Sequence, residues 1–171
     1  MCACCASHIW DLWLGASASW LGDVQMIDAL AVMQKIHGIV GALAIASCLH
    51  PVITVHSERV PGPRVRLSAW LAALLTLLSF GLGLILYSDY RILVKPWLLA
   101  HAASYHLYWF ETKEITGYFT LCAAGLGAAI LHFGRGHTDA RRASKMLYAF
   151  AFIGGLFTAS SGIIVASVKG F

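Results

Sequence analysis

Charged residues are scarce in this sequence: Asp, Glu, Lys and Arg make up 12 % of its 171 residues, against 59 % that are hydrophobic. Soluble chains carry about 25 % charged residues, so most of this chain must avoid water. The motifs of common hydrolases and nucleotide-binding enzymes are missing too, with no G-x-S-x-G, no H-E-x-x-H and no P-loop. The composition indicates a membrane protein and offers no motif for hydrolytic chemistry.

Paired zinc ligands and a secretory signal are also missing from the amino-terminal region. Three cysteines form a single C-x-C-C there, whereas a zinc site needs a second ligand pair at a defined spacing. No Lys or Arg precedes Lys35, so residues 1–24 lack the basic start of a signal peptide. The tryptophans of this region favour the membrane surface. We therefore predict an N-terminal interfacial segment over residues 1–35, whose last part is an amphipathic helix.

Four uncharged stretches are long enough to cross a bilayer core of roughly 30 Å at 1.5 Å per residue. They lie at about 36–56, 67–88, 115–133 and 146–168. Small residues spaced four apart in the last two spans let helices approach closely, which predicts an all-α, four-transmembrane-helix bundle over residues 36–171. Residues 96–110, between spans 2 and 3, are uncharged, aromatic and too few to cross a bilayer, which predicts an interfacial or re-entrant helix.

Basic residues concentrate in the two short loops, which hold seven of the twelve Lys and Arg but only two of the eight acids. Short loops rich in Lys and Arg stay on the cytoplasmic side. We therefore expect a multi-pass protein of the cell inner membrane with both termini on the non-cytoplasmic side. The basic residues form no basic helix and no recognition motif, so we expect no nucleic acid among the partners.

Histidines are the titratable groups that stand out in the spans, where such side chains are costly and indicate function. His37 and His50 lie on span 1, and His132 lies at the far end of span 3. His101 and His106 lie in the connection that precedes span 3. Two neutral imidazoles facing each other across a bundle are axial ligands for haem iron. The pairs considered are His50 with His132, and His37 with His101 or His106.

Each of these histidines also has a structural interpretation. His50 can bond a backbone carbonyl near Pro51, where the proline removes a helical hydrogen bond. His37 can meet water and headgroups at the mouth of span 1, and His101 and His106 can belong to an aromatic belt at the interface.

The histidine pattern resembles the bis-histidine membrane cytochromes of the b type, small helical bundles that hold two stacked haems and often exchange electrons with quinones. The resemblance covers spans 1 to 3 and rests on His37, His50, His132 and either His106 or His101. It implies haem b, with His50 and His132 on one iron. The spacing departs from this pattern, because thirteen residues leave His37 and His50 about 140° apart around an ideal helix.

A second candidate site lies where span 3 begins. Glu111, Glu114 and Tyr108 gather there with His106 and Lys113. In a quinol pocket, a carboxylate or an imidazole takes the proton released when quinol is oxidised. The alternative is that the acidic residues favour the helix dipole and have no chemical role.

The leading hypothesis is an integral membrane subunit of a redox complex that transfers electrons through haem b, a quinone or both. Its expected partners are other membrane subunits, the bilayer and a periplasmic or membrane redox protein, and the chain alone is not expected to be catalytic. The alternative is a cofactor-free accessory or anchor subunit, which the small-residue ridges suit equally well. Transport ranks last, because no acidic residue lies deep in any span.

Overall fold

Every element in the described part of the chain is helical. The computed structural model describes the backbone of residues 4–57, 62–101, 104–134 and 137–168, and the side chains of 29–55, 62–101, 107–134 and 137–168. In chain order the helices are α1 (Cys4–Ser57), α2 (Pro63–Asp89), α3 (Lys95–His101), α4 (Ser104–Phe133) and α5 (Thr138–Val168). A π-helical turn, Tyr90–Val94, joins α2 to α3.

Four helical stretches are long and apolar enough to cross a bilayer: Ala29–Val55, Pro63–His101, Leu107–Phe133 and Thr138–Val168. Large apolar side chains cover their outer surfaces, as shown by Leu67 at 72 % and Ile163 at 70 % exposure. A bilayer would shield such surfaces from water. The predicted all-α bundle of four transmembrane helices is therefore confirmed.

The connection between spans 2 and 3 is not the single separate helix that the sequence predicts. The helices α2 and α3 and the turn between them form one stretch of 39 residues, Pro63–His101. Since α4 begins at Ser104, residues 96–110 are divided between the end of one helix and the start of the next. Side chains of the π-helical turn, α3, α4 and α5 form a small buried cluster here: Tyr90, Val94, Leu98, Phe110 and Val165. Spans 2 and 3 thus extend beyond the predicted boundaries at 88 and 115.

The first helix, α1, runs without a break from Cys4 to Ser57. The predicted interfacial segment therefore has a helical backbone from Cys4 onward, continuous with span 1, and its place on the membrane surface stays a prediction. Pro51 lies inside α1 and is fully buried, so the helix tolerates the missing N–H without ending there.

The spans form an antiparallel ring in the order α1, α2, α4, α5. The helix α1 packs on α2 and α5, and α4 packs on the same two, so α1 and α4 lie diagonally opposite. The register between α1 and α2 is antiparallel, since His37 contacts Ser79 while His50 contacts Ser68. We call the end where α3 meets α4 the connection end, and the end with the two short loops the short-loop end.

The half of the bundle toward the short-loop end is filled by small side chains around one tyrosine. Tyr148 of α5 is fully buried, and its hydroxyl donates to the backbone oxygen of Ala69 on α2, 2.7 Å away across the bundle. Gly127 of α4 lies so close to the Tyr148 ring that a Cβ there would be 2.9 Å from it. Buried alanines complete this half on three helices: Ala72, Ala73, Ala124, Ala128 and Ala151. Such small residues allow the close contact on which helix association in lipid depends.

Candidate functional site

His37 projects from α1 onto α2 in the half of the bundle toward the connection end. Its Nδ1 lies 3.0 Å from the backbone oxygen of Ser79, and since a carbonyl only accepts, the imidazole donates through Nδ1. The ring lies over Gly83, where a Cβ would be 3.2 Å from Cε1 of His37. Glycine thus makes room for the imidazole, and the neutral ring keeps its lone pair on Nε2.

Lys113 of α4 holds its ammonium group over two aromatic rings. Its Nζ is 4.8 Å from the ring centre of Tyr90 and 4.9 Å from that of Phe110. The rings are themselves stacked, with centroids 5.6 Å apart and planes inclined by 22°. Cation–π attraction is strongest away from water, and Tyr90 and Phe110 are only 7 % and 1 % exposed. The two rings therefore stabilise a positive charge within the span Leu107–Phe133.

Glu114 follows Lys113 directly and adds a carboxylate to the same place. It lies close enough to the Lys113 ammonium and to the Tyr87 hydroxyl to interact with both. Its Oε1 is shielded from solvent and accepts no hydrogen bond from the residues that the structure describes. A shielded acceptor without a donor is costly, unless a ligand or a water molecule supplies the hydrogen bond. Glu114 thus presents an open acceptor.

The three ionisable groups lie within about two helical turns of one another along the bundle. His37 sits against Gly83 of α2, and Glu114 lies near Tyr87, four residues further along that helix. Lys113 lies over Tyr90, seven residues beyond Gly83 and on the same side of this helical stretch. An imidazole from α1 and an ammonium group and a carboxylate from α4 therefore converge around one face of α2.

These residues belong to helical stretches that are long and apolar enough to cross a bilayer, His37 to Ala29–Val55 and the other two to Leu107–Phe133. Large apolar side chains point outward from all four spans near this level, each at least 50 % exposed: Ile39, Leu84, Phe119 and Ile163. A bilayer that covers these side chains also surrounds His37, Lys113 and Glu114. Ionisable side chains at such a depth are costly, and they usually mark a binding site or a proton path.

The π-helical turn Tyr90–Val94 sets the position of the Tyr90 ring. The N–H of Lys95 bonds to the carbonyl oxygen of Tyr90, five residues back. In a regular α-helix, the ring of Pro96 would clash with the carbonyl of Ile92, and the wider turn relieves this clash. Single π-turns inside long helices recur at functional sites. Here the turn carries the ring that lies under Lys113.

The three residues predicted for a quinol pocket do not share one environment in the structure. Glu114 lies beside Lys113 and points its Oε1 away from solvent. Glu111 is exposed, and its Oε1 pairs with Nζ of Lys95 at 3.0 Å. Tyr108 lies at the surface, 64 % exposed. Of these three, the geometry associates Glu114 with His37 and Lys113.

The structure does not bring His101 to His37. The Nδ1 of His101 lies 3.2 Å from the backbone oxygen of Trp97, and its ring stacks on the Trp97 ring at 5.0 Å. His101 is eighteen residues beyond Gly83, the neighbour of His37, which corresponds to about 27 Å of helix. His106 belongs to α4, and its side chain lies outside the described residues.

His50 and His132 lie toward the short-loop end, against different sides of α2. The Nδ1 of His50 is 3.0 Å from Oγ of Ser68, and the indole N–H of Trp70 donates to Nδ1 of His132 over 3.4 Å. Ser68 and Trp70 are two residues apart, so they project about 200° apart around the α2 axis. The two imidazoles therefore do not face each other in the interior of the bundle.

The same hydrogen bonds determine which ring nitrogen of each histidine keeps the lone pair that haem iron would need. Ser68 donates its own hydroxyl to Val65, so His50 is the donor in its bond and keeps its lone pair on Nε2, as an axial ligand requires. His132 accepts at Nδ1, so its neutral ring carries the proton on Nε2 and offers no ligand atom in this arrangement. As a pair, the two residues do not fit one iron. Among the described residues, no group of three or more His, Cys, Asp or Glu side chains is placed to hold a metal ion.

From the sequence, Lys113 was predicted only to lie beside the quinol pocket. No role was predicted for Tyr87, Tyr90 or Ser79. One signal for Lys113 was available, because Phe110, Lys113 and Glu114 are spaced as neighbours on one face of a helix. The contacts with α2 had no comparable signal, since they depend on where α2 ends and on its register against α4.

Three comparisons, with models of protein families, with curated proteins and with solved structures, find no match for this chain. No function can therefore be carried over from a relative, and only the site itself indicates one. Its distinguishing feature is the convergence of His37, Lys113 and Glu114 within the membrane-spanning bundle.

Proposed function

We propose that this chain is an integral membrane subunit of a redox complex and that it binds a quinone or quinol between His37, Lys113 and Glu114. The observation that supports this most directly is the convergence of these three side chains within about two helical turns, inside the stretches that can span a membrane. A quinone is an apolar ligand that reaches its site from the bilayer. Its two ring oxygens need polar partners of this kind.

Each side chain has a role that its chemistry suits. The Lys113 ammonium donates a hydrogen bond to a carbonyl oxygen of the quinone. When quinol is bound, its hydroxyls donate to Oε1 of Glu114 and to Nε2 of His37, the two acceptors that the site leaves open. Oxidation of quinol to quinone releases two protons and two electrons. The carboxylate and the imidazole take the protons, and the electrons pass to a one-electron acceptor of the complex.

A matched pair of substitutions tests the quinone site. Glu114→Gln and Glu111→Gln change the same atoms three residues apart on α4, but Glu111 is exposed and paired with Lys95. We expect short-tailed ubiquinol and menaquinol analogues, kept reduced, to quench tryptophan fluorescence of the wild type and of Glu111→Gln with equal affinity. Glu114→Gln should bind about tenfold more weakly, because one charge-assisted hydrogen bond is lost. Equal affinity in all three proteins, or no binding to the wild type, would overturn the proposal.

Haem b stays part of the proposal as a prediction from the histidines. A reduced-minus-oxidised visible spectrum of the detergent-purified protein, with a pyridine assay for haem stoichiometry, tests it. A b-type α band that disappears in His50→Ala or His132→Ala would identify a ligand. No absorbance, from protein made with ample haem, would contradict haem b in this chain and leave the quinone titration unaffected.

A cofactor-free accessory or anchor subunit is the second candidate. The short-loop half favours it, because Tyr148 fills the interior there and the helices meet through alanines, as in a rigid scaffold. In that case quinone analogues do not bind to the purified chain. His50→Ala and His132→Ala then leave the spectra and the activity of the complex unchanged.

The orientation belongs to the same proposal. The short-loop end carries seven of the twelve basic residues, so we place it on the cytoplasmic side of the inner membrane, with both termini and the quinone site toward the other side. Labelling of single engineered cysteines in intact cells with a membrane-impermeant reagent tests this. Cysteines near the carboxyl terminus should react, and cysteines at position 137 should not.

A further inference from the structure

A cavity of about 180 Å³ opens at the short-loop end, at the opposite end of the bundle from the quinone site. It is lined by Val55 of α1 and by four residues of α5: Thr138, Arg141, Arg142 and Lys145. Three of these five residues are cations, and all three lie within the first eight residues of α5. The first turn of α5 contributes a single acid, Asp139.

The surroundings of the cavity change from charged to apolar over a short distance. Val55 is 4 % exposed and belongs to the main buried cluster, so the wall on the α1 side is apolar. Met146, next to the cavity along α5, is 71 % exposed and forms part of the surface that a bilayer would cover. The cations therefore lie where the hydrocarbon of a bilayer gives way to the headgroups.

We propose that this cavity binds the phosphate of an anionic phospholipid. Arg141 and Lys145 contact the phosphate oxygens, Arg by its planar pair of N–H groups and Lys as a point charge. The acyl chains lie along the apolar surface beside Met146. Basic pockets between transmembrane helices recognise acidic headgroups in this way. Free inorganic phosphate shares the same chemistry, but it makes no use of the apolar surface below. The inference is independent of the proposed quinone site.

A competition between lipids tests the assignment on the full chain. Protein in detergent is incubated with equal amounts of phosphatidylglycerol, phosphatidylethanolamine and phosphatidylcholine that share the same acyl chains. It is then re-isolated, and the bound lipid is counted by mass spectrometry. We expect phosphatidylglycerol to be retained in preference to both zwitterionic lipids. The double variant Arg141→Gln with Lys145→Gln should bind it roughly thirtyfold more weakly, since two basic contacts are lost.

Two further double variants make the test specific. Arg64→Gln with Arg66→Gln removes the same two charges at the same end of the bundle, from residues of α2 that do not line the cavity. It should retain wild-type binding, as should Arg141→Lys with Lys145→Arg, which keeps both charges. Circular dichroism checks the helix content of each variant. If the first double variant does not fold, Arg142→Gln alone, at an exposed position, should weaken binding about fivefold.

Three results would overturn the inference. Equal losses in the two charge-removing double variants would indicate diffuse surface charge in place of a site. Equal retention of phosphatidylglycerol and phosphatidylcholine would show that the charge of the headgroup is not recognised. Equilibrium dialysis with radiolabelled inorganic phosphate separates the two sources of phosphate, and binding of the free ion as tight as that of the lipid would replace the lipid with a simple anion.

Discussion

The two halves of the bundle are built from different residues. Toward the short-loop end, alanines, glycines and the buried Tyr148 bring the helices into close contact. Toward the connection end, two aromatic rings lie under Lys113, and His37 and Glu114 lie against α2. In lipid, close packing holds helices together, because no hydrophobic force acts between them. The comparison indicates that the stability of the bundle and its proposed chemistry reside at opposite ends, so substitutions should separate the two.

The largest expected effect on stability is at Tyr148. Tyr148→Ala removes a fully buried ring together with its hydrogen bond to Ala69, which should lower the free energy of unfolding by about 3–5 kcal/mol. Tyr148→Phe keeps the ring and should cost about 1 kcal/mol. Unfolding in mixed micelles by increasing fractions of SDS measures both. The exposed Tyr108→Ala serves as the control, and a cost there as large as that of Tyr148→Ala would contradict a core at the short-loop end.

Two glycines on one helix offer a finer test of close packing. A Cβ at Gly127 would lie 2.9 Å from the Tyr148 ring, whereas a Cβ at Gly125 would have no atom within 4 Å. Gly127→Ala should therefore lower the free energy of unfolding by about 1–3 kcal/mol through overpacking. Gly125→Ala should leave stability unchanged or slightly raised. The same micelle titration applies, and equal responses at the two positions would show that contact with Tyr148 does not limit the packing.

At the connection end, the expectation is reversed: a large change in side-chain chemistry should have a small effect on stability. Lys113→Met removes a cation–π contact but also a costly charge inside a span. These two effects oppose each other, so stability should change by about 1 kcal/mol or less. A loss comparable to that of Tyr148→Ala would mean that Lys113 is part of the structural core.

The smallest effect is expected for the exposed ion pair between Lys95 and Glu111. Glu111→Gln should change the free energy of unfolding by less than about 1 kcal/mol, as is usual for pairs at a surface. The change should shrink further in high salt, because exposed charges are screened. An effect that persists undiminished in high salt would indicate that this pair is shielded by something other than the described chain.

The fold could be predicted from the sequence because the length of an apolar run alone decides whether it can span a bilayer. Arg66 and Asp89 bound an uncharged run of that length, and both lie on the continuous stretch Pro63–His101. The boundaries beyond this run could not be predicted. Pro96 and the charges before it are typical of a helix end, yet the π-helical turn absorbs the proline and Arg91 points to the exterior.

The candidate site could be predicted only in part. Glu114 and His37 were identified, because ionisable side chains in or beside apolar runs stand out in a sequence. Their partners were not, since pairing depends on the register and rotation of each helix against its neighbour. His50 and His132 illustrate this point: both lie at suitable depths for one ligand pair, but Ser68 and Trp70 hold them on different sides of α2.

Photolabelling with an azido-quinone analogue, followed by mapping of the label by mass spectrometry, locates the proposed quinone site. We expect label on residues 107–120 of α4 or around His37 of α1, prevented by excess unlabelled quinone. Lys113→Met, which lacks the ammonium donor, should take up about tenfold less label, and Lys95→Met should be labelled like the wild type. Label on the short-loop half, or equal labelling of all three proteins, would contradict a quinone site at the connection end.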